Sequence, residues 1–385
     1  MPTPTDNFDL NRPDEGTKEW HIPLNHNFTR IDELLASDSK PAATMNGVHA
    51  NDFDGAGLAS KVDNALQWLA DNVDGRGVVR VTPKDDGTAW NWDTELTIDD
   101  SVHHGVQLFI DENVPIDYGG SGVAITIEGE IAERRPQIIG GLWTFSGDPT
   151  GWLRLKDCYG CVVSPTQVDN IENSSGDAFG VSIENHDLWS EHTKIRDCFI
   201  RGDRCVQFRM ASETGGSGTD SFQETKIREC HFQGNDYCVK TKGNMKYSSF
   251  TETTFRPGRD GANCLFLDHN RMTGSTFRDL KFENAGTQLS NDTGIYDPNN
   301  ATFYGPLIIN CAFYRMENDF AGGSALHNVT FYGGNGIQFE FPTGGANVNV
   351  GDGEVSFGTD GARIYLDGSG DLVAVDDAGN ETTLT

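Results

Sequence analysis

The chain has 385 residues, and its 58 Asp or Glu against 29 Lys or Arg give a formal net charge of −29. This length exceeds one compact core of ordinary shape, whereas a repeat architecture reaches it because each unit packs only on its neighbours. An aromatic content of 10% argues against disorder, and the acidic balance disfavours nucleic acid as the main partner. Two interpretations of the charge are left: a solvated surface adapted to very high salt, which we favour, and a cation-binding protein.

The acidic excess lies outside one segment. Residues 191–281 hold 15 basic and 12 acidic residues, whereas the rest of the chain holds 14 and 46. The basic residues of this segment either pair with its own acids, which we favour because paired surface charges are common, or form a docking face for an acidic partner.

Residues 1–45 are predicted to form a small N-terminal module. In EWHIPLNHNFTRIDELLA, from Glu19 to Ala36, the residues Phe28, Ile31, Leu34 and Leu35 lie on one face of a short helix. The N-terminus has neither the basic start nor the apolar stretch of a secretory signal. No apolar run reaches the roughly 18 residues of a membrane span, so we expect synthesis in the cytoplasm and no membrane insertion.

Residues 46–100 are predicted to hold a linker, a second helix and the first strands. Ser60 is the predicted cap of this helix, and Val62, Leu66, Leu69 and Val73 form its apolar stripe. A Gly-rich turn and a strand follow in DGRGVVRVTP, from Asp74 to Pro83.

Residues 101–343 contain a repeated phrase. TKIRDCFIRGDRC begins at Thr193 and TKIRECHFQGNDYC at Thr225. The same apolar spacing recurs at Ile195, Cys198 and Ile200; Ile227, Cys230 and Phe232; Phe250, Thr253 and Phe255; Phe277, Leu280 and Phe282; Ile308, Cys311 and Phe313; and Leu326, Val329 and Phe331. Repeat starts roughly 18 to 32 residues apart, without helical periodicity, predict an all-β, right-handed parallel β-helix.

Two further features repeat with this phrase. The residue before each central position is acidic or an amide, which is typical of a corner between strands: Asp157, Asp197, Glu229, Glu252, Asp279, Asn310 and Asn328. A second short strand follows each phrase and begins at Gly180, Cys205, Cys238, Cys264 and Gly336.

The cysteines follow the repeat. Cys158, Cys198, Cys230 and Cys311 share one coil position, and Cys205, Cys238 and Cys264 share another. We interpret both sets as inward core columns, in which a thiol packs as a small apolar group. The pair Cys158 and Cys161 lacks the second ligand pair of a zinc site. We therefore predict no metal, no cofactor and no disulfides.

Residues 344–385 change character. Apolar and polar residues alternate between Gly- and Asp-rich turns, as in a series of β-hairpins. Such a tail buries little apolar surface alone, so we predict that it joins three chains in a homotrimer.

The segment from Ala65 to Pro83 resembles the start of pectate-lyase-like proteins, a superfamily of parallel β-helices that open with a helix, a Gly-rich turn and a VVxVP-like strand. The N-terminal phrase DEGTKEWHIPLNHNFTRID, the acidic balance and the hairpin tail resemble tail-fibre or tailspike proteins of viruses infecting halophilic archaea. That resemblance implies a virion protein, made in the host cytoplasm and acting outside the cell. Its N-terminal module would attach to other tail or baseplate proteins.

The patterns NTD, GDD and GHG of β-helix enzymes are absent. Weak catalytic candidates are Asp177, Glu213 and Asp220, of which the last two flank a Gly-rich insertion. Such insertions build binding surfaces on rigid coils, although for this one we favour a flexible excursion. The ligand-binding candidates are Trp189, Arg201, Arg204, Arg209, Lys240, Lys242 and Lys246. We favour a non-enzymatic protein that binds a host-surface glycan or glycoprotein; the alternatives are a polysaccharide depolymerase and a purely structural virion part.

Overall fold

The computed structural model describes residues 47–284, except 74 and 130–134, together with 289, 292–297 and short segments elsewhere. Those segments are 3–4, 11–12, 302–304, 307–309, 311–314, 318–322, 327–329, 347–348, 355–357, 362–366, 372–375 and 380–384. The predicted helix within Glu19–Ala36, the second-phrase strand at Gly336, and Leu326 and Phe331 of the last repeat lie outside the described residues.

The chain forms a parallel β-helix of about eight turns, as predicted. Its strands stack into ladders, each of which takes one strand from successive coils. Ladder A consists of Gly47–His49, Val78–Val81, Gln107–Ile110, Gln137–Ile139, Val162–Ser164, Lys194–Arg196, Lys226–Arg228, Ser249–Thr251, Thr276–Arg278 and Leu307–Ile309. Parallel pairing therefore begins before residue 101, where the predicted β-helix segment starts.

Three long strands pass through more than one ladder: Phe199–Arg209, His231–Lys246 and Asn263–Thr273. Ladder B contains the starts of the first two, with Trp90–Trp92, Pro115–Tyr118, Leu142–Phe145, Gln167–Ile171, Thr254–Pro257, Lys281–Glu283 and Ala312–Tyr314. Ladder C contains parts of all three, with Leu96–Asp99, Val123–Glu128, Gly151–Lys156, Phe179–Glu184, Thr293–Asp297 and Asn318–Gly322. Ladder D joins Ser221–Gln223 and Thr302–Tyr304 to the ends of the last two long strands.

The repeated apolar positions align across coils, which confirms the register expected from the sequence. Ile195 pairs with Ile227, which pairs with Phe250, and Phe250 pairs with Phe277. A second column runs from Ile200 through Phe232, Phe255 and Phe282 to Phe313. The rings of Phe250 and Phe277 stack with centroids 4.9 Å apart, and those of Phe255 and Phe282 lie 5.1 Å apart. Because these rings are buried, each coil supplies apolar surface to the next.

The corners before the central positions have left-handed backbone. Asp157, Asp197, Glu229, Glu252 and Asp279 all have φ between 51° and 55°. This conformation favours Asp, Asn and Gly, which explains in part why acidic residues recur at these corners. The sequence predicted a corner at these positions but not its left-handed backbone. In three coils, the arginine before the corner acid pairs with it. The N–O distance is 3.9 Å for Arg196–Asp197, 2.7 Å for Arg228–Glu229 and 3.2 Å for Arg278–Asp279.

The structure places all eight cysteines in the interior as free thiols. The Sγ atoms of Cys198 and Cys230 are 3.4 Å apart in adjacent coils. In ladder C, the residues on either side of Cys205 pair with those on either side of Cys238, so the two cysteines occupy the same position in adjacent coils. Cys264 occupies that position one coil further on. Burial raises the pKa of Cys311 to about 11, so this thiol stays protonated at neutral pH.

Helix α1, Leu58–Val73, covers the start of the coils after a short 3-10 turn at Ala50–Asp52. Its residues Val62, Leu66 and Leu69 are buried in the same core as Val79 of ladder A, as the apolar stripe predicted. The predicted cap was wrong, because the helix begins at Leu58, two residues before Ser60. The Ser60 hydroxyl instead bonds the Asp93 carboxylate in the next segment.

The C-terminal tail is antiparallel, as the hairpin pattern predicted. Its strands pair in sequence order: Val355–Phe357, Ala362–Leu366, Leu372–Val375 and Glu381–Leu384. Two smaller pairs complete the described strands: Thr3–Pro4 with Asn11–Arg12, antiparallel, and His327–Val329 with Asn347–Val348, parallel.

Candidate functional site

The outward face of ladder C carries a polar surface on a rigid base. Val206, Val239 and Leu265 point into the core, as do the cysteines before them, whereas the residues that follow them form an outer column. This column consists of Gln207, which its neighbours bury, and the more exposed Lys240 and Phe266. A pocket of about 380 Å³ lies on this face. We call it the ladder C pocket. Its lining consists of Arg204, Gln207, Phe208, Arg209, Glu213, Asp236, Tyr237, Lys240, Lys242 and Phe266.

The four cations of the ladder C pocket all contact carboxylates of the same chain. Arg204 lies 2.9 Å from Asp236, Arg209 lies 3.5 Å from Glu184, and Lys240 lies 3.2 Å from Asp268. Lys242 bonds the Glu213 carboxylate and lies 3.6 Å from Asp268. Pairing of basic residues with acids of the same chain, one of the two interpretations of residues 191–281, is therefore observed for these four cations. An acidic ligand can dock here only by sharing or replacing these partners.

Aromatic rings stand beside the cations. Lys240 Nζ lies 4.4 Å from the centroid of the Phe266 ring and 5.8 Å from that of Tyr237. The Arg204 guanidinium lies 5.4 Å from the Tyr237 ring. The two rings meet edge to face at 6.3 Å. Such contacts hold the long basic side chains in place, and an aromatic wall beside cations suits a ligand with both an apolar face and a negative charge.

A hydrogen-bond chain extends from Tyr237 to Glu184. The Tyr237 hydroxyl donates to Gln207 Oε1 at 2.9 Å, and Gln207 Nε2 donates to Ser182 Oγ at 3.1 Å. The Ser182 hydroxyl donates to Glu184 Oε1 at 2.7 Å. Burial raises the pKa of Tyr237, so this phenol is a neutral donor at physiological pH. The chain fixes the orientation of the pocket floor because every member is satisfied.

Glu184 is the anchor of this chain, with a side chain only 2% exposed. Arg154 Nε lies 3.2 Å away, His186 Nε2 3.1 Å and Arg209 NH1 3.5 Å. Burial pushes the pKa of Glu184 upward, but the Ser182 hydrogen bond and the charge of Arg154 outweigh it, so the pKa lies below its usual value. Glu184 is therefore ionised at neutral pH, and it holds Arg209 at the rim of the pocket.

The Gly-rich insertion packs on the neighbouring coil and carries Glu213 into the pocket. It begins with helix α2, Ala211–Thr214, followed by Gly215 with φ of 77°. Gly218 N donates to His186 O at 2.6 Å. A Cβ added at Gly216 would lie 2.1 Å from the same carbonyl oxygen, which explains the glycine there. The insertion is thus held against residues 185–188.

Three of the predicted ligand-binding residues lie outside the lining of the ladder C pocket. Arg201 belongs to ladder B and contacts Asp169 and Asn170. Lys246 ends its strand in ladder D. Trp189 is 44% exposed in the loop that supports the insertion, next to the exposed Leu188. The other four, Arg204, Arg209, Lys240 and Lys242, come together in the pocket.

The weak catalytic candidates have separate hydrogen-bonding roles. Asp177 Oδ1 accepts from Asn173 Nδ2 at 2.9 Å, within its own loop. Asp220 accepts from the backbone N–H and the hydroxyl of Ser212, each at 3.2 Å. Glu213 accepts from Met210 N at 3.1 Å in addition to Lys242. Only Glu213 lines the pocket, so the three do not form a set of paired carboxylates there.

Sequence reasoning missed Gln207, Tyr237 and Phe266 as pocket residues. The signal for Gln207 and Phe266 was present in CVQF and CLFL, because the third residue of each phrase shares one outward column with Lys240 of CVKT. Tyr237 precedes its phrase and pairs with Arg204 in the register of the ladder. In the part of the chain that the structure describes, no group of three or more His, Cys, Asp or Glu side chains is arranged to hold a metal ion. Among the described helices, none has the length and apolar character needed to cross a membrane.

No protein-family model matches the chain, and no curated protein matches it. Among solved structures, a protein of Geobacillus virus E2 (ORF18) is similar, with 12% identity, a TM-score of 0.46 and coverage of 97% of this chain and 81% of that one. The Dettilon tailspike protein has 11% identity, a TM-score of 0.40 and coverage of 91% and 81%. The A-module of the mannuronan C-5 epimerase AlgE4 from Azotobacter vinelandii has 9% identity, a TM-score of 0.36 and coverage of 79% and 97%. Likeness at this level concerns the β-helix alone, so function has to be argued from the side chains of this chain.

Proposed function

We propose that the protein is a tail-fibre or tailspike-type virion component that binds a host-surface glycan or glycoprotein through the ladder C pocket, without catalysis. The observation that carries the binding proposal is the gathering of four cations beside the partly exposed Phe266 ring in one pocket of a chain with a net charge of −29. A sugar ring stacks on such a side chain through its apolar face, and its acidic substituents pair with the cations.

The assembly we propose has three parts. Residues 1–45 attach the protein to other tail or baseplate proteins, the β-helix presents the pocket, and residues 344–385 join three chains in a homotrimer. The protein is made in the host cytoplasm and acts outside the cell, in the high salt that suits its acidic surface. Its mass in molar salt tests the trimer, and a monomeric mass contradicts it.

The binding proposal is tested with the full chain on a panel of immobilised acidic and neutral glycans. We expect binding to acidic glycans that falls at least about ten-fold in Arg204→Glu and in Lys240→Glu, because each replacement puts a like charge at the ligand. The matched control is Lys226→Glu, which makes the same charge change on the outward face of ladder A. Binding that is absent, or that falls equally in the control, contradicts the proposal.

A depolymerase on the same surface is the alternative. Glu213 and Asp236 are the carboxylates that line the pocket, and Glu213 is the one among the predicted catalytic candidates. Glycans bound by the wild type are incubated with it and assayed for new reducing ends or shortened chains. Release that is lost in Glu213→Gln supports the depolymerase. Unchanged glycan length with retained binding supports the attachment protein.

A further inference from the structure

Glu213 occupies the place in the ladder C pocket where a ligand's negative group belongs. Its Oε1 contacts Lys242 Nζ, and both side chains are largely screened from solvent, with exposures of 29% and 19%. Lys242 lies in register with Asp268 and beside Lys240, so two ammonium groups border this space. A carboxylate of the protein thus sits on one of the two lysines of the pocket, which also share Asp268.

The other carboxylates around these cations are fixed by the coils. Asp268 belongs to the strand Asn263–Thr273, and Glu184 ends the strand Phe179–Glu184 and is held by four side chains. Glu213 instead comes from the four-residue helix α2 on the insertion. Rotation of its side chain alone frees Lys242, at the loss of one hydrogen bond, from Met210 N to Oε2.

We infer that Glu213 is a built-in competitor for an anionic ligand, and that the ligand is a carboxylated polysaccharide whose carboxylate replaces that of Glu213 on Lys242. This rests on the proposed function of the pocket. A carboxylate is the expected group because the site already accommodates one. A sugar is the expected carrier because the partly exposed Phe266 ring stands beside Lys240, which shares Asp268 with Lys242. Glu213 is accordingly a specificity-determining residue: neutral glycans do not displace it from Lys242, whereas acidic ones exchange for it.

The test is a titration calorimetry series with the full chain at about 0.15 M salt, where screening acts beyond roughly 8 Å, and again at about 1 M salt, which suits the acidic surface and where screening acts beyond roughly 3 Å. The probes are tetragalacturonate and its fully methyl-esterified form, in which each carboxylate charge is replaced by a neutral methyl ester on the same sugar backbone. The variants are the wild type, Glu213→Gln and Glu128→Gln. Glutamine keeps the size of Glu213 and an acceptor for Met210 N. Glu128→Gln is the matched control, because Glu128 also pairs with a lysine of ladder C, at 3.3 Å from Lys156, but lies outside the pocket.

We expect Glu213→Gln to bind tetragalacturonate about two- to five-fold more tightly than the wild type, the range for an ion pair that no longer has to be broken. Glu128→Gln binds like the wild type, and the methyl ester shows no gain in any variant. Binding detected only in Glu213→Gln supports the inference equally, since removal of the competitor then uncovers the site.

Equal or weaker binding by Glu213→Gln overturns the inference, as does an equal gain in Glu128→Gln. If either result is obtained but the wild type binds tetragalacturonate and Lys240→Glu abolishes this binding, the pocket still binds glycans and the proposed function stands. Absence of tetragalacturonate binding in all variants overturns the inference, and the immobilised panel then decides the proposed function separately. Hydrogen exchange gives a second readout: ligand binding to the wild type accelerates exchange of the Met210 amide, because Glu213 releases it, and an unchanged rate in the saturated complex counts against displacement.

Discussion

Glu184→Gln is expected to destabilise the protein more than any other single charge removal on the outward face of ladder C. The side chain is 2% exposed and meets Arg154 and Arg209 together with Ser182 and His186. Loss of one partner from a buried ion pair costs about 3–5 kcal/mol. Arg154 and Arg209 keep 29% and 39% of their side-chain surface in water, which partly rehydrates a freed guanidinium. We therefore expect a loss of about 2–3 kcal/mol in the free energy of unfolding at pH 7.

The pH dependence separates charge from packing. Because the folded pKa of Glu184 is lowered, its charge stabilises the fold fully above the unfolded pKa of about 4.3. That contribution disappears as the pH falls through the lower folded pKa. The difference between wild type and Glu184→Gln is thus fully present down to about pH 5 and shrinks below about 4.3.

Urea denaturation of both proteins from pH 7 to pH 3.5 measures this difference. Glu128→Gln is the control, since Glu128 pairs with Lys156 but is 44% exposed, and we expect it to cost under about 1 kcal/mol. The reasoning is refuted if Glu184→Gln costs no more than the control at pH 7. It is also refuted if the difference stays constant below the pH at which the wild-type carboxylate takes up its proton.

Three further outcomes are expected. Phe255→Ala removes a fully buried ring stacked on Phe282, and it should cost about 3–5 kcal/mol of unfolding free energy in urea denaturation. The control Tyr247→Ala, at a residue that is 60% exposed, should cost under about 1 kcal/mol. Similar losses in the two variants contradict the stacked column. All eight buried, free thiols should resist an aromatic disulfide reagent in the native protein and react in denaturant; rapid native labelling contradicts the inward columns. Lys226→Glu replaces a like-charged contact with Lys194 in the adjacent coil and should stabilise the protein by about 0.2–1 kcal/mol, and a lower thermal midpoint contradicts this.

The β-helix could be predicted because the residues that pair between coils recur in the sequence as a repeated pattern of apolar positions. The column that joins Ile195, Ile227 and Phe250 was visible as a repeated spacing, since each coil buries the same positions against the next. The left-handed corners were less visible. Both Glu229 and Glu252 adopt them, although Glu is not a residue that this conformation selects, so composition marked the corner without specifying its backbone.

The ladder C pocket could be predicted only in part. The sequence shows which residues are charged, whereas the direction in which each side chain points depends on the geometry of its strand. Arg201 and Arg204 are close in sequence, but the pairing shifts register between Gly202 and Arg204. Arg201 therefore faces outward from ladder B and Arg204 from ladder C. The contact between Lys242 and Glu213 crosses 29 residues. No local pattern announces such a contact, because it depends on how the insertion folds back over the coils.

Under the proposed function, the coils and the insertion have different shares in recognition. The ladders hold Arg209, Lys240 and Lys242 on a base in which each strand is fixed by its neighbours, so loss of any one of these cations is expected to weaken the binding of an acidic ligand. The insertion contributes Glu213, whose removal is expected to strengthen that binding. Because α2 lies outside the ladders, exchange of the insertion for one without a carboxylate would alter which glycans bind while leaving the stacking of the coils intact. A swap that lowers thermal stability as much as Phe255→Ala would show that the insertion belongs to the structural core instead.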